Sequence, residues 1–455
     1  MPSKRTLAKF MLLAGDILLL YGALFVVLLL RYKGSEDLLL IPQHILPFSL
    51  VFIFWLVLFG AFGLYDFGFI KNNKRFIYRL LRAMTTNTIF AMLLFYLVPA
   101  FEIEPRRNLI LIALLSALLI FIWRYAFNLL ITRAPSSQVL FFGITQDTKE
   151  LTEYLLRNPQ LGYQPVAWVD LGGKKPASLP LPHFEAHQDL ALLVKDFAID
   201  TVIISPELKE NKTLVTTLFK LIPLGVAVLE FPKFYEMNIG KIPLSLIGEV
   251  WFLENLVGIR KTMYEFFKRV LDIILSIFLI IPAALLFPFI ALAIRLDTEG
   301  PIFFRQKRVG RGGKEFELVK FRSMVKNAES LNGYKGNGPD SRHTKTGAFL
   351  RKNYLDELPQ IINILKGDMS FIGPRPERPA YVLELKQKIP FYEMRLLVPP
   401  GITGWAQIHM EDDASVEDAP EKIQYDLYYT KNRSLVLDLL IVIKTLFTIL
   451  RREGR

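Results

Sequence analysis

KRVLDIILSIFLIIPAALLFPFIALAIR, residues Lys268 to Arg295, places 25 largely apolar residues between basic ends. A run of this length can cross the hydrocarbon core of a bilayer. Pro282 and Pro288 interrupt it, and each removes a backbone donor and clashes with the preceding turn. The following residues, 305–322, are strongly basic, and a full span would carry them to the outer face against the positive-inside rule. We therefore predict a helix over 261–295 that is broken at the prolines and re-enters the cytoplasmic leaflet.

Toward the N-terminus the sequence predicts a four-helix transmembrane bundle over residues 1–134. Basic residues concentrate before the first span and between the second and third, which puts both ends of the bundle in the cytoplasm. Asp16 lies inside the first span, where we favour a helix-packing contact over a functional role. The predicted spans are Phe10–Leu30, Ile45–Tyr65, Met84–Phe101 and Leu109–Phe127.

Between these membrane segments, residues 135–255 have the composition of a cytosolic α/β domain. Short apolar runs alternate with helix-like stretches, a βαβ pattern that predicts a Rossmann-like parallel sheet. The turn after the first predicted strand, Gly143 to Thr148, contains one glycine, whereas dinucleotide binding uses three. We therefore favour a structural or regulatory role for this domain over nucleotide binding.

The composition of the whole chain excludes several classes of protein. The chain has 455 residues, of which 55 are Lys or Arg and 43 are Asp or Glu. Its mean hydropathy is +0.32. The apolar content excludes intrinsic disorder. The absence of cysteine excludes disulfide frameworks, Cys-ligated metal sites and thiol catalysis. Because the cations cluster beside membrane elements and not among exposed aromatics, we predict contact with anionic membrane lipid and no binding of nucleic acid.

The remaining residues, 256–455, carry the residue types that phosphate chemistry needs. Spaced cations surround one adjacent carboxylate pair, Asp356 and Glu357. Arginine suits bidentate recognition of phosphate oxygens, and Mg²⁺ takes one or two carboxylates together with substrate phosphates. Glycine–proline turns fix the cations in place, which a merely solvated charged surface does not need. The sequence thus predicts phosphate transfer with Mg²⁺, and the spaced cations around the carboxylate pair include Lys320, Arg342, Arg351 and Arg375.

Three stretches of this region resemble a known family. They read FFRQKRVGRGGKEFELVKFRSM, LRKNYLDELPQIINILKGDMSFIGPRPE and PPGITGWAQ, and EKIQYDLYYTKNRSLVLDL follows them. They are similar to the catalytic region of the monotopic phosphoglycosyl transferases, which start bacterial exopolysaccharide, O-antigen and capsule synthesis. The preceding spans and α/β domain resemble the long form of that family. The resemblance implies a multi-pass protein of the bacterial inner membrane, with a monotopic α/β-type catalytic domain on the cytoplasmic face.

The same resemblance implies substrates and roles. A nucleotide diphosphate sugar, most simply a UDP-hexose with glucose or galactose, gives its sugar-1-phosphate to undecaprenyl phosphate. Asp356 corresponds to the nucleophile and Mg²⁺ ligand, with Glu357 as its partner at the metal. Arg351 and Arg375 correspond to phosphate-contacting arginines, and Lys320 to a lysine near the donor. The long form also suggests a homodimer through the α/β domain.

The chain departs from the family at the re-entrant helix, where Ala284 and Leu285 replace the usual Ser-Pro pair. Two alternatives stand beside the enzyme hypothesis. A CDP-alcohol phosphotransferase needs several aspartates along its membrane helices, and the four spans lack that pattern. A non-catalytic scaffold or ligand-sensing regulator of polysaccharide assembly predicts a damaged Asp-Glu pair, which here is intact.

The C-terminal residues, 434–452, are apolar enough to suggest another span. On a helical wheel, however, their polar residues form one narrow stripe: Ser434, Asp438, Thr445, Thr448 and Arg452. We therefore favour an amphipathic helix that lies in the membrane interface.

Overall fold

The computed structural model divides the chain into two compact units, Met1–Phe234 and Tyr235–Arg455, which are described separately. The residues that the structure describes are 4–32, 41–66, 71–97, 105–133, 136–143, 145–170, 181–185, 190–206, 208, 211–256, 261–325, 342–410 and 418–450.

The first unit begins with four long helices. Helices α1, α2 and α4 each contain a segment that is long and apolar enough to cross a membrane, which agrees with three of the four predicted spans. Helix α3 does not meet that criterion within the described residues, and the predicted third span ends at Phe101, which lies outside them. The helices are α1 (Lys4–Arg31), α2 (Ile41–Ala61), α3 (Lys74–Leu97) and α4 (Pro105–Arg133).

A buried ion pair joins the first and last of these helices. Asp16 accepts a hydrogen bond from Arg124, which also donates to the Leu64 carbonyl oxygen at 2.6 Å. The Tyr65 hydroxyl donates to the same Asp16 carboxylate at 2.7 Å. Charged side chains inside a membrane bundle are costly unless they are paired in this way. The contact is the helix-packing role that we expected for Asp16.

An α/β domain completes the first unit, as the alternating pattern predicts. Five parallel strands form one sheet in the order β3-β2-β1-β4-β5, and an apolar core lies between the sheet and its helices. The strands are β1 (Ser137–Phe142), β2 (Tyr163–Asp170), β3 (His183–Glu185), β4 (Thr201–Ile204) and β5 (Ala227–Glu230). The helices are α5 (Gln146–Arg157), α6 (Leu190–Asp196), α7 (Lys212–Phe219) and α8 (Phe231–Ile239), whose last residues belong to the second unit.

The turn after β1 satisfies its own helix terminus. Gly143 adopts a left-handed conformation with φ of 78°. Thr145 then caps α5, because its hydroxyl accepts from the Thr148 amide at 3.2 Å and its amide donates to the Thr148 hydroxyl at 3.2 Å. A phosphate at a helix N-terminus needs such amides for itself. This reciprocal cap favours the structural or regulatory role over nucleotide binding.

The second unit begins earlier than the predicted boundary at residue 255. Helix α9 (Glu249–Asn255) and the residues before it pack into the apolar core of this unit. Ile242, Trp251 and Phe252 contact a core that includes Val382 and Leu385. The segment 235–255 therefore serves as a support for the C-terminal domain and not as the end of the α/β domain.

One long helix, α10 (Thr262–Asp297), runs without interruption through Pro282 and Pro288. The helical hydrogen-bonding pattern continues past both prolines. The prediction that they break the helix is therefore wrong. Only 11% of its most apolar window is buried, and Phe278 and Phe289 are more than 70% exposed. Because such surface is unfavourable in water, α10 needs an apolar medium around it.

Small sheets and short helices pack around one side of α10. Strands β6 (Phe303–Val309) and β7 (Glu315–Phe321) form an antiparallel pair, and β8 (Ser370–Ile372) and β9 (Gly401–Thr403) form a parallel pair. The remaining α-helices are α11 (Lys345–Lys352), α12 (Ile361–Lys366), α13 (Pro379–Lys388), α14 (Ala419–Asn432) and α15 (Leu435–Leu450).

Two guanidinium groups fasten the ends of α10 to these elements. Arg269, in the second turn of α10, donates to the Ile364 and Leu365 carbonyl oxygens at 2.5 and 2.7 Å, where α12 ends. Arg322, just after β7, donates to the Thr298 and Glu299 carbonyl oxygens at 2.7 and 3.0 Å, where α10 ends. Cations favour helix C-termini because the last carbonyl groups lack helical partners.

Helix α15 carries its polar stripe toward the protein. Asp438 is buried against Lys268, with a nitrogen–oxygen distance of 2.9 Å, and the Thr445 hydroxyl lies 2.7 Å from that of Thr403. Its apolar side faces outward, and Val436 is 77% exposed. The polar stripe of an interfacial helix usually faces water. In α15 the polar side chains Asp438 and Thr445 instead contact other residues of the protein. Arg452 lies outside the described residues.

Candidate active site

The predicted carboxylate pair lies on a 3₁₀-helix, Leu355–Gln360, between α11 and α12. Tyr354 precedes it in the left-handed region, with φ of 56°, a conformation that costs a non-glycine residue free energy. This tight reversal joins the end of α11 directly to the 3₁₀-helix, which packs against β7. The strained turn thus brings Asp356 and Glu357 next to the strand that carries Lys320.

Five of the six predicted site residues come together here. Asp356 is 7% exposed, and its burial raises the pKa of its carboxyl group, as does the neighbouring charge of Glu357. Lys320, Arg351 and Arg375 act in the opposite direction and lower that pKa, which places all three within electrostatic reach. Lys320 Nζ lies 2.7 Å from Glu357 Oε1, and Arg375 Nη2 lies 3.5 Å from the same oxygen.

The same buried environment changes the pKa of Lys320. Burial lowers the pKa of its ammonium group, and Glu357 and Asp356 raise it. Two carboxylates therefore share the site with three cations, so the cluster carries a net positive charge when all five groups are ionised. Such a site attracts phosphate groups more strongly than a balanced one does.

Arg342, the sixth predicted residue, is placed differently. Its backbone carbonyl oxygen accepts from the Val325 amide at 3.0 Å, which extends the β7 strand region toward α11. The principal charges that shift the pKa of Asp356 do not include it. The structure therefore supports Arg342 as a neighbour of the site, and its phosphate-binding role stays a prediction.

The loop that carries Arg375 is fixed at every residue. Each of its five residues, from Gly373 to Glu377, makes a backbone hydrogen bond with a different partner. These bonds are Gly373 N to Thr403 O (2.9 Å), Gly401 N to Pro374 O (3.0 Å), Arg395 Nη2 to Arg375 O (2.8 Å), Arg308 Nη1 to Pro376 O (2.9 Å) and Val309 N to Glu377 O (2.9 Å). The backbone from which the Arg375 side chain extends is therefore held by several separate elements.

Two glycines of the quoted motifs permit this arrangement. A Cβ atom on Gly373 would lie 2.3 Å from the Pro399 carbonyl oxygen, and one on Gly401 would lie 2.1 Å from the Gly373 amide nitrogen. Any side chain at either position would push β8 and β9 apart. The glycine–proline pattern in the sequence thus reflects close contact between backbones.

Sequence reasoning missed a buried ion pair behind this loop. Arg395 and Asp426 are each 2% exposed, and the guanidinium and carboxylate groups lie 2.8 Å apart. Arg395 also lies 2.8 Å from the Tyr392 hydroxyl oxygen, and its other terminal nitrogen reaches the Arg375 carbonyl. The two residues are 31 positions apart, and Arg395 belongs to none of the quoted stretches, so nothing in the sequence pairs them.

Asp272 links α10 to β8. Its carboxylate accepts from the Ser370 hydroxyl at 3.1 Å and from the Phe371 amide at 3.2 Å. It therefore holds β8 against α10. Ser276, one turn further along α10, is fully buried.

The carboxylate pair provides as many protein ligands as Mg²⁺ usually requires. No cluster of three or more metal-binding side chains occurs among the described residues. Mg²⁺ nevertheless binds through one or two carboxylates, with water and substrate phosphates as its other ligands. Asp356 and Glu357 would supply those carboxylates, although the Lys320 ammonium group also occupies Glu357.

Two family descriptions match the chain: "Bacterial sugar transferase" over residues 263–452 and "CoA-binding domain" over residues 60–232. The chain is 45% identical over 222 residues to a UDP-N-acetylgalactosamine-undecaprenyl-phosphate N-acetylgalactosaminephosphotransferase of Aeromonas hydrophila, covering 48% of this chain and 52% of the relative. It is 32% identical to a UDP-glucose:undecaprenyl-phosphate glucose-1-phosphate transferase of Escherichia coli, covering 65% and 64%. It is 42% identical to an uncharacterized sugar transferase of Bacillus subtilis, covering 41% and 89%.

These alignments bear on the two parts of the chain unequally. The chain spans about half to two thirds of the length of the first two relatives. It covers most of the shorter Bacillus protein, and that alignment takes in 41% of this chain. The first family description includes every residue of the cluster around Asp356, whereas the second ends just before the second unit begins.

The Arg395–Asp426 pair allows a test of the buried support. Arg395→Met and Asp426→Leu should each destabilise the second unit by about 3–5 kcal/mol, because each leaves one buried charge without its partner. The double variant should recover much of that loss, since it buries no charge. The midpoint of thermal unfolding, measured on the full chain in detergent, checks both expectations.

Lys388→Met is the matched control, because Lys388 pairs with Glu384 at the surface. Exposed pairs contribute about 0–1 kcal/mol, so this variant should unfold near the wild-type temperature. Single variants of the buried pair as stable as the control would show that the pair does not support the unit.

Proposed function

The chain belongs to the bacterial sugar transferase family, and we propose that it transfers a sugar-1-phosphate from a UDP-hexose to undecaprenyl phosphate. The products are undecaprenyl-diphosphate-sugar and UMP, the first membrane step in building a bacterial polysaccharide. The observation that carries this proposal is the cluster of Asp356 and Glu357 with Lys320, Arg351 and Arg375. It joins a buried carboxylate to three phosphate-binding cations inside the stretch that matches the family.

In the proposed mechanism, Asp356 is the nucleophile. One carboxylate oxygen attacks the sugar-linked phosphorus, a new phosphorus–oxygen bond forms, and the bond to the UMP oxygen breaks. The result is a phosphosugar-aspartyl intermediate. An ionised oxygen of undecaprenyl phosphate then attacks the same phosphorus and releases Asp356. Bound Mg²⁺, held by Asp356 and Glu357, would withdraw charge from the diphosphate and so favour departure of UMP.

The surrounding cations suit the charge that this reaction moves. The backbone of Arg375 is fixed through its loop, which reduces the reorganisation that its side chain needs to hold phosphate oxygens. Lys320 binds Glu357 and lowers the pKa of Asp356, which favours the ionised nucleophile. Glu357 orients Lys320 and Arg375 and shares the metal, so its role is positional.

We further propose that α10 is re-entrant and that the catalytic domain lies on the cytoplasmic face of the inner membrane. About 42 Å of helix, measured along its axis, lies between Arg269 and Asp297. Both regions nevertheless contact polar elements of the same unit, since Arg269 binds the end of α12 and Asp297 accepts from the Thr346 amide of α11 at 2.7 Å. A true span would place those elements on opposite sides of about 30 Å of hydrocarbon.

The proposal extends to the membrane and to assembly. The outward apolar side of α15 and the exposed surface of α10 would lie in the same apolar layer, with basic residues meeting anionic lipid at its edge. A homodimer through the α/β domain remains part of the proposal. The relatives act on different sugars by their names, and we propose UDP-glucose, UDP-galactose and UDP-N-acetylgalactosamine as the donors to try.

The covalent step has a direct test. Incubation of the full chain with a labelled donor and Mg²⁺, before any lipid is added, should place one sugar phosphate on the peptide that contains Asp356 and release one UMP. Steady-state kinetics should be ping-pong. Asp356→Asn should abolish labelling and turnover, because the amide is not a nucleophile. Mass spectrometry of the digested enzyme measures the adduct.

Arg375→Ala is an informative comparison within the same assay. It should label slowly and weaken donor engagement by about 10- to 150-fold, since a charge-assisted contact contributes roughly 1.5–3 kcal/mol. Turnover by the wild type without any adduct, with intersecting double-reciprocal lines, would instead indicate direct attack by the lipid phosphate.

The pH dependence of donor-only labelling tests the environment of Asp356. Because only the ionised carboxylate attacks, labelling should fall as acid protonates Asp356, whose pKa is raised by burial and would be lowered by bound Mg²⁺. Lys320→Met should move this acidic limb to still higher pH, since Lys320 lowers the pKa of Asp356. Lys314→Met, at an exposed position, should leave the limb in place, and equal limbs in all three proteins would contradict the assignment.

Topology is testable because the chain has no native cysteine. Met263→Cys and Glu299→Cys place single thiols at exposed positions on either side of the apolar part of α10. Both should resist an impermeant thiol reagent applied to intact cells and react after permeabilisation. Reaction at residue 299 alone in intact cells would mean that α10 spans the membrane.

A further inference from the structure

We propose that His343 is a positioning residue, which orients Arg351 toward Asp356 without adding a negative charge beside it. This inference rests on the proposed function, because it assigns a role within that reaction. His343 belongs to none of the quoted stretches, and its only signal in the sequence is its position beside Arg342.

The contact defines the state of the imidazole ring. Arg351 Nη1 and His343 Nε2 are 2.9 Å apart. A guanidinium group only donates hydrogen bonds, so Nε2 must accept and carries no proton. The proton of a neutral ring then lies on Nδ1, which is 3.3 Å from the Ser323 carbonyl oxygen, an acceptor. One tautomer, neutral with its proton on Nδ1, therefore satisfies both neighbours.

The backbone holds the two residues in a fixed relation. His343 pairs with Met324 across an isolated β-bridge, and the Thr344 amide donates to the Ser323 carbonyl oxygen at 3.2 Å. Thr344 then caps α11, the helix whose last turn carries Arg351. A Cβ atom on Gly347 would lie 1.9 Å from the Ser323 carbonyl oxygen, so α11 lies directly against this strand.

A neutral acceptor has a particular advantage for a catalytic cation. A carboxylate would hold the guanidinium group at least as firmly, but it would also cancel the charge that faces the substrate phosphate. Imidazole nitrogen limits the rotamers of the long arginine side chain and adds no negative charge. Arg351 lowers the pKa of Asp356, so its charge already reaches the nucleophile.

Three variants of the full chain in nanodiscs distinguish the effect of a hydrogen-bond acceptor for Arg351 from the effect of a negative charge beside it. His343→Gln keeps a neutral acceptor near the Nε2 position, His343→Leu removes it at similar volume, and His343→Glu replaces it with a charged one. With UDP-glucose, UDP-galactose and UDP-N-acetylgalactosamine as donors, the initial rate of donor-only labelling is measured against concentration.

His343→Gln should stay within about 3-fold of the wild-type kcat/KM for the donor. His343→Leu should lose about 10- to 150-fold, the effect of one hydrogen bond to a charged group. His343→Glu should lose more than His343→Leu, although it restores a partner for Arg351. Unfolding midpoints equal to the wild type would show that the losses are not structural.

The tautomer provides a readout that does not depend on activity. Nitrogen-15 NMR of histidine-labelled full chain, with His343 assigned through its loss in His343→Gln, should show a proton on Nδ1 and none on Nε2. Arg351→Ala should shift the Nε2 signal. A proton on Nε2, or a His343→Leu variant as active as the wild type, would overturn the inference. Wild type that shows the expected tautomer but labels with no donor would instead overturn the proposed function.

Discussion

Two arginines attach the apolar helix α10 to the other elements of the second unit, and the arrangement of those elements depends on these contacts. Arg269 binds the carbonyl oxygens at the end of α12, and Arg322 binds those at the end of α10. These contacts join the only long apolar helix described in this unit to the 3₁₀-helix through α12 and to Lys320 through β7. Through these two sets of hydrogen bonds, the elements that carry the carboxylate pair and Lys320 are joined to α10.

The charged groups of the site differ in what supports them. Asp356 is buried, which works against its ionisation, and the fixed cations around it compensate in part. Arg375 is held from behind by Arg395, whose own charge is balanced by Asp426. Arg351 is held by a neutral group. The chain thus uses different supports for its two arginines, one through the main chain and one through the side chain.

Much of the site could be predicted because its residues are close in sequence or belong to recognisable turns. Asp356 and Glu357 are adjacent, and Arg375 lies in a glycine–proline loop whose glycines permit close backbone contact. The pairing of Arg395 with Asp426 could not be predicted, because it depends on how the 3₁₀-helix Tyr392–Leu397 packs against α14. The packing of residues 235–255 and the inward polar stripe of α15 were missed for the same reason: periodicity shows that a face exists, but not what covers it.

The outward apolar side of α15 has a kinetic consequence under the proposed function. With Val436 and its apolar neighbours held in the lipid layer, the enzyme moves only within the plane of the membrane. Its encounter with the acceptor is then a two-dimensional search, and its rate depends on how many acceptor molecules share a given area of bilayer. Diluting the membrane with inert lipid would slow the second half of the reaction even when the amounts of enzyme, donor and acceptor in the sample are unchanged.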